Sequence, residues 1–73
     1  MEVKIGVQHI ARDIVLESTQ SRDELTAAIT EAVSKSALLT LTDEKGRTVI
    51  VPGDRLAYVE LGSPERGRVG FGA

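Results

Sequence analysis

One stretch of this chain has the apolar spacing of a helix, whereas the other apolar runs are short and have the spacing of strands. In residues 21–35 the apolar side chains recur at intervals of three and four, so they would form one stripe along a helix. The stripe consists of Leu25, Ala28, Ile29, Ala32 and Val33. We expect Leu25, Ile29 and Val33 to lie in the core. One helix covering a sheet is the architecture that this pattern predicts.

The start of this helix carries a capping box, Ser-Arg-Asp-Glu at residues 21–24. In such a sequence the Ser21 hydroxyl accepts a hydrogen bond from the Glu24 backbone N–H, and the Glu24 carboxylate accepts one from the Ser21 backbone N–H. Asp23 and Glu24 also place negative charge at the positive end of the helix dipole. These features predict that the helix begins at Ser21.

The remaining apolar runs have the length and alternation of strands. In the first run, Val3, Ile5 and Val7 lie on one side and polar residues on the other. The short link at residues 9–11 makes a hairpin between the first two strands the simplest interpretation. The predicted strands are MEVKIGVQ, RDIVLES, LLTLT, RTVIV and RLAYVELG.

The sequence DEKG separates the third and fourth strands. Asp43 and Gly46 occupy its first and fourth positions, which are the preferences of a type I turn. We therefore predict a second hairpin at this point.

The sequence PGDR separates the fourth and fifth strands. Because Pro52 cannot donate to a strand ladder, we expect the fourth strand to end at Val51. Pro52–Asp54 would then be a corner in a meander of the last three strands. The alternative is that this exposed sequence presents Asp54 and Arg55 to a partner, since loops on rigid scaffolds often carry function.

These patterns predict an α+β domain with the order β-β-α-β-β-β over residues 1–61. We expect one mainly antiparallel sheet with a single helix on one face. Residues 62–73 form a glycine-rich tail, either a short extra strand or a loose end. The second and fifth strands are apolar on both faces, so sheet surface should be left over that another copy or another protein could cover.

Composition limits the classes of function. The chain has 73 residues with a net charge of -2 and a pI near 5.3, the reverse of the basic surface that nucleic-acid binding needs. It has no cysteine and one histidine, which excludes disulfides and makes a metal site built on thiolates or imidazoles untenable. No apolar run approaches the roughly 18 to 20 residues of a membrane span. We expect a cytoplasmic protein that has no membrane contact.

We expect the domain not to be an enzyme and to bind no cofactor. Catalysis needs a titrating group beside a substrate, or a nucleophile beside a base. The single histidine, His9, falls in a predicted hairpin loop, where an exposed side chain is expected. Tyr58 is expected on a sheet face with its hydroxyl at the rim.

The glycine-rich tail carries further candidate binding residues. Arg66, Arg68 and Phe71 could contact RNA through its phosphates and one stacked base. The sequence GRVGFG differs from a phosphate-binding loop because no helix follows it and the Gly-Lys-Ser/Thr ending is missing. The candidate partner-binding residues are Asp54, Arg55, Arg66, Arg68 and Phe71.

The opening MEVKIGV, the block LLTLTDEKGRTVIVPGDRLAYVELG and the closing GRVGFG resemble a small actinobacterial family of unknown function. That family includes a low-molecular-weight mycobacterial T-cell antigen. Some of its members have been labelled ATP-binding proteins, which implies a phosphate site, yet this sequence lacks both the P-loop and the dinucleotide-binding pattern. The resemblance implies a cytosolic domain and assigns no catalytic or binding residue.

The function that we predict is a non-catalytic protein-interaction module with an unknown protein partner, self-association being one option. The alternative is an accessory domain that binds RNA or a nucleotide through Arg66, Arg68 and Phe71. A concentration-dependent mass without affinity for polyanions would favour the first, and a salt-dependent affinity for RNA would favour the second.

Overall fold

A computed structural model describes residues 1–62 and 68–70 of the chain. Within these residues, six strands and one helix follow in chain order, with a 3₁₀ turn at Gly53–Arg55. The elements are β1 Glu2–Val7, β2 Ile14–Glu17, α1 Arg22–Ser34, β3 Leu38–Thr42, β4 Thr48–Pro52, β5 Leu56–Leu61 and β6 Arg68–Gly70. The α+β class and the predicted order β-β-α-β-β-β are confirmed, and β6 is a short further strand within the glycine-rich tail.

The strands form two antiparallel sheets. One has four strands in the order β2-β1-β5-β6, and the other consists of β3 and β4. The expectation of one sheet containing a β3-β4-β5 meander is therefore wrong. Strand β5 instead pairs with β1, with Val3 opposite Leu61 and Ile5 opposite Val59. The alternation of apolar residues identifies a strand, but it does not determine which strand pairs with it.

Both predicted hairpins are present. Strands β1 and β2 pair with Val3 opposite Leu16, and β3 and β4 pair with Leu39 opposite Val51. In the turn between β3 and β4, the Gly46 backbone N–H donates to the Asp43 carbonyl oxygen at 2.9 Å, and Gly46 has a φ of 89°. Glycine adopts such a left-handed conformation without steric cost, which suits Gly46 to the fourth position of the predicted turn.

Helix α1 begins with the predicted capping box. The Ser21 hydroxyl accepts from the Glu24 backbone N–H at 3.2 Å, and a Glu24 carboxylate oxygen accepts from the Ser21 backbone N–H at 3.0 Å. Both contacts satisfy N–H groups that have no partner within the helix. Leu25 and Ile29 are buried, whereas Val33 is half-buried and lies against the margin of the core.

A single apolar core joins α1 to the inner faces of both sheets. Strands β1, β2 and β5 supply one side of it, and the β3–β4 hairpin supplies another. The buried core residues are Val3, Ile5, Leu16, Leu25, Ile29, Ala32, Leu39, Leu41, Val51, Leu56, Val59 and Leu61. Since side chains alternate along a strand, the other face of each sheet is turned away from this core.

The corner after β4 lies against the end of α1. The Gly53 backbone N–H donates to the Ala37 carbonyl oxygen at 2.7 Å. A Cβ atom added at Gly53 would lie 2.2 Å from the Ala32 carbonyl oxygen, so only glycine fits without movement of the backbone. A corner is thus present, but β4 continues through Pro52, one residue beyond the predicted end at Val51, and the turn occupies Gly53–Arg55. It directs the chain away from β4 toward β1.

Candidate interaction surface

The outer face of the β3–β4 hairpin, which we call the open face, carries the largest exposed aliphatic side chains of the two-stranded sheet. The register places Leu38 opposite Pro52 and Thr40 opposite Ile50 on this face. Leu38 is 64% exposed and Ile50 is 57% exposed. The open face consists of Leu38, Thr40, Thr42, Thr48, Ile50 and Pro52, all of them exposed.

Within residues 1–62 and 68–70, β3 and β4 pair only with each other. Each strand therefore has one side without a neighbouring strand, and the open face lies between those two sides. Exposed aliphatic side chains that share one face are a candidate site for contact with another protein. The sequence indicates this exposed face, because the alternation in LLTLT and TVIVP places Leu38 and Ile50 on the opposite side of the strands from their core neighbours.

The predicted residues Asp54 and Arg55 lie directly after the open face along the chain, in the 3₁₀ turn. Both are exposed. The Gln8 backbone N–H donates to the Arg55 carbonyl oxygen at 2.8 Å, and the Gln8 side-chain amide lies 3.5 Å from the Asp54 carbonyl oxygen. These contacts fix the backbone of the turn. In the described part of the chain, neither the Asp54 carboxylate nor the Arg55 guanidinium has a hydrogen bond or an ion pair.

The other predicted binding residues belong to the tail. Arg68 lies in β6, where its backbone is opposite Glu60 of β5. Arg66 and Phe71 lie outside the described residues.

The edge of β2 is covered by three residues of the turn that joins β3 to β4, and we call these residues the edge cap. They are Asp43, Glu44 and Arg47. The Asp43 carboxylate accepts from the Glu17 backbone N–H at 3.2 Å, and the Glu44 backbone N–H donates to the Glu17 carbonyl oxygen at 2.8 Å. The Arg47 guanidinium donates to the Val15 carbonyl oxygen at 2.7 Å. The Glu17 N–H and carbonyl groups and the Val15 carbonyl group, which a neighbouring strand would bind at this edge, thus have partners already.

Asp43 is the most highly connected acidic residue of the edge cap. Its carboxylate accepts from the backbone N–H groups of Lys45 and Glu17, and these two hydrogen bonds hold the pKa of Asp43 below its ordinary value. Arg47 lies 3.5 Å from the same carboxylate and favours its charged form in the same direction. The sequence identified Asp43 as a turn residue. Its contact with β2 was missed, because β2 lies 26 residues away along the chain.

The outer face of the four-stranded sheet carries Tyr58. The Tyr58 ring lies over Gly6 of β1, where an added Cβ atom would come within 2.3 Å of the ring. The Tyr58 hydroxyl donates to an Asp13 carboxylate oxygen at 2.6 Å. This half-buried position on a sheet face, with the hydroxyl at the rim, is the one that the sequence predicted.

His9 is exposed in the loop between β1 and β2, as expected from the sequence. Among the described residues, no three histidine, aspartate or glutamate side chains are grouped as they would be around a metal ion. None of the described helices has the length and apolar character needed to cross a membrane.

A comparison with protein families matches residues 1–72 to a family described as a protein of unknown function (DUF3107). The chain belongs to this family. The predicted membership in a family of unknown function is thereby confirmed at that level. No curated protein shows a significant match to this DUF3107 domain.

Proposed function

We propose that this domain is a non-catalytic protein-interaction module that associates with a second copy of itself through the open face. The observation that supports this proposal is the exposure of Leu38 and Ile50, at 64% and 57%, on one face of a hairpin. Burying two such side chains removes apolar area from water, at roughly 25 cal/mol for each Å². Association would supply this burial, since the core lies on the other side of the hairpin.

The dimensions of the open face indicate a weak dimer. A hairpin face five residues long and two strands wide measures about 17 by 10 Å. Stable interfaces bury about 800 Å² on each partner, about a sixth of the 4686 Å² that this chain exposes. The open face alone is smaller than that, so the contact would belong to the small, transient class. We expect dissociation in the micromolar range or above.

The arrangement of polar groups agrees with a binding role. The Asp43 carboxylate, the best-connected acid of the edge cap, is occupied by backbone N–H groups of its own turn and of β2. The Tyr58 hydroxyl is bonded to Asp13. These two groups therefore stabilise the fold, whereas Leu38 and Ile50 of the open face are exposed and available to another molecule.

The experiment that tests the proposal is light scattering across a concentration series, from micromolar to millimolar protein. We expect the mean mass to rise toward that of a dimer. Ile50→Ser should abolish the rise. Ile10→Ser is the matched control, because Ile10 is 58% exposed but lies in the loop between β1 and β2, outside the open face.

The same series with added RNA or ATP tests the alternative function. That alternative depends on Arg66, Arg68 and Phe71 and on the label that some relatives carry. A monomeric mass at every concentration that increases on addition of RNA or ATP would overturn the proposal. A concentration-dependent dimer that ignores both additives and depends on Ile50 would support it.

A further inference from the structure

The 3₁₀ turn places an acid and a base side by side at the border of the open face. Asp54 and Arg55 follow Pro52 by two and three residues. Because consecutive Cα atoms are about 3.8 Å apart, the Cα atom of Asp54 lies within about 8 Å of that of Pro52. Both charged side chains are exposed, and the turn that carries them directly follows the open face along the chain.

We propose that two copies meet about a two-fold axis that brings Asp54 of each copy opposite Arg55 of the other. This inference rests on the proposed function, and it specifies how the second copy is oriented. In a two-fold contact the same surface is used twice, so that residue i contacts residue j and residue j contacts residue i. An adjacent acid and base satisfy this condition, whereas two like charges would repel their own copies across the axis.

The charge pattern also fits a second copy better than a strongly charged partner. Asp54 and Arg55 cancel each other, so this border of the open face has no net charge of its own. The whole chain carries a net charge of only -2, which leaves little long-range repulsion between copies. The two reciprocal ion pairs would set the orientation, and the aliphatic side chains of the open face would supply most of the affinity.

Charge reversal tests this geometry. Asp54→Arg places two bases at the turn of each copy, and Arg55→Asp places two acids there. Each variant replaces two attractive pairs by two repulsive ones, and we expect its dimer to weaken about tenfold. The double variant Asp54→Arg/Arg55→Asp restores opposite charges at both positions, so its affinity should return to within about threefold of the wild type.

Mixing the two single variants is the sharper experiment. An equimolar mixture should form a heterodimer at concentrations where each variant alone is monomeric, because one copy supplies two bases and the other supplies two acids. Sedimentation velocity with one variant fluorescently labelled measures this directly. Thermal melting of each variant verifies folding, which both should retain because the substituted side chains are exposed.

The results separate this inference from the proposed function. If the wild type is monomeric at all concentrations, self-association fails and the orientation fails with it. If a dimer forms that depends on Ile50, while neither charge reversal weakens it, the open face is the contact and the two-fold geometry is wrong. Weakening by both single reversals, with recovery in the double variant and in the mixture, supports the reciprocal pairs.

Discussion

The β3–β4 hairpin covers one exposed part of the sheets, the edge of β2, and leaves another, its own outer face, uncovered. Its turn covers the edge of β2, where Asp43, Glu44 and Arg47 bind the Val15 carbonyl group and the Glu17 N–H and carbonyl groups. Its own outer face, with Leu38 and Ile50, is left exposed. The first region is closed by hydrogen bonds within the chain, and the second is an apolar surface without cover among the described residues.

The edge of β2 and the open face differ in the chemical groups that they would present to other proteins. The edge of a sheet presents unpaired N–H and C=O groups that bind any extended chain without regard to its sequence. An apolar face is more selective, because affinity then depends on the shape and chemistry of the partner surface. The hairpin turn thus covers the β2 edge, where pairing would be unselective, and the hairpin leaves exposed a face at which contact depends on the partner surface.

The largest expected change in the free energy of unfolding distinguishes two leucines of β3, one in the core and one on the open face. Leu41 is 1% exposed and faces the core, whereas Leu38 is 64% exposed on the open face. Leu41→Ala should lower the free energy of unfolding by about 2 to 5 kcal/mol, because it leaves a cavity in the core. Leu38→Ala removes the same atoms and should change it by less than about 0.5 kcal/mol in the dilute monomer.

Urea unfolding monitored by circular dichroism measures both values. A small chain is expected to have only about 3 to 5 kcal/mol of stability in total, so Leu41→Ala should be largely unfolded. Equal destabilisation by the two substitutions would show that both faces of the hairpin are covered, and the open face would not exist as described.

A smaller effect is expected at Gly53, where the chain leaves the open face. Gly53→Ala would force a Cβ atom against the Ala32 backbone, and we expect a loss of about 1 to 3 kcal/mol. Gly46→Ala is the comparison, because Gly46 has open space around it but a φ of 89°. Alanine in this left-handed conformation should cost about 1 to 2 kcal/mol. Thermal unfolding of both variants tests the steric cost at Gly53 and the conformational cost at Gly46. A Gly53→Ala protein with an unchanged melting temperature would show that the corner is not held against α1.

The sequence predicted the local elements well because their causes are local. The capping box at Ser21 and the turn glycine at Gly46 each depend on residues within four positions of one another. The corner was located by Pro52, which cannot donate to a strand ladder, although its contact with Ala37 is distant in the chain. Apolar alternation likewise located β1, β3 and β5.

Pairing between distant strands could not be predicted in the same way. Strand β5 was placed beside β4, its neighbour in the chain, but it pairs with β1, with Ile5 opposite Val59. The edge cap was missed for the same reason, since Asp43 has a complete local role as a turn residue and shows no sign of its contact with Glu17. The open face was within reach of the sequence, because Leu38 and Ile50 alternate with buried residues.

A modest effect is expected when Arg47 is removed from the edge cap. Arg47→Ala deletes the hydrogen bond to the Val15 carbonyl oxygen, and because the side chain is 56% exposed, the loss should stay below about 1 kcal/mol. Lys45→Ala is the matched control, as it removes the same charge from the same turn. If Arg47 covers the edge, the Arg47→Ala protein should precipitate sooner on heating than the control. Equal precipitation of both variants would show that Arg47 does not protect β2.

The smallest effect is expected in the pH dependence of the edge cap. The folded-state pKa of Asp43 lies below its ordinary value of 3.8, because the Lys45 and Glu17 N–H groups donate to its charged form. Its stabilising contribution is therefore complete above pH 3.8 and is lost as the pH falls through the folded-state pKa. The pKa of Glu24 is lowered by its contacts with Ser21, so Glu24 adds a loss of the same sign below its own ordinary value of 4.5.

Asp43→Asn removes the titration and keeps an acceptor oxygen, so its melting temperature should fall less steeply with decreasing pH than that of the wild type. Glu24 is retained and should preserve part of the slope. Asp54→Asn, compared at concentrations where the protein is monomeric, is the control in the other region, because in the described residues the Asp54 carboxylate makes no hydrogen bond that the substitution could remove. Melting curves from pH 7 down to about pH 3 measure all three proteins. If Asp43→Asn and Asp54→Asn flatten the pH dependence of the melting temperature equally, the Asp43 carboxylate has no special part in covering the edge of β2. The contrast between the edge cap and the open face would then depend on Glu44 and Arg47 alone.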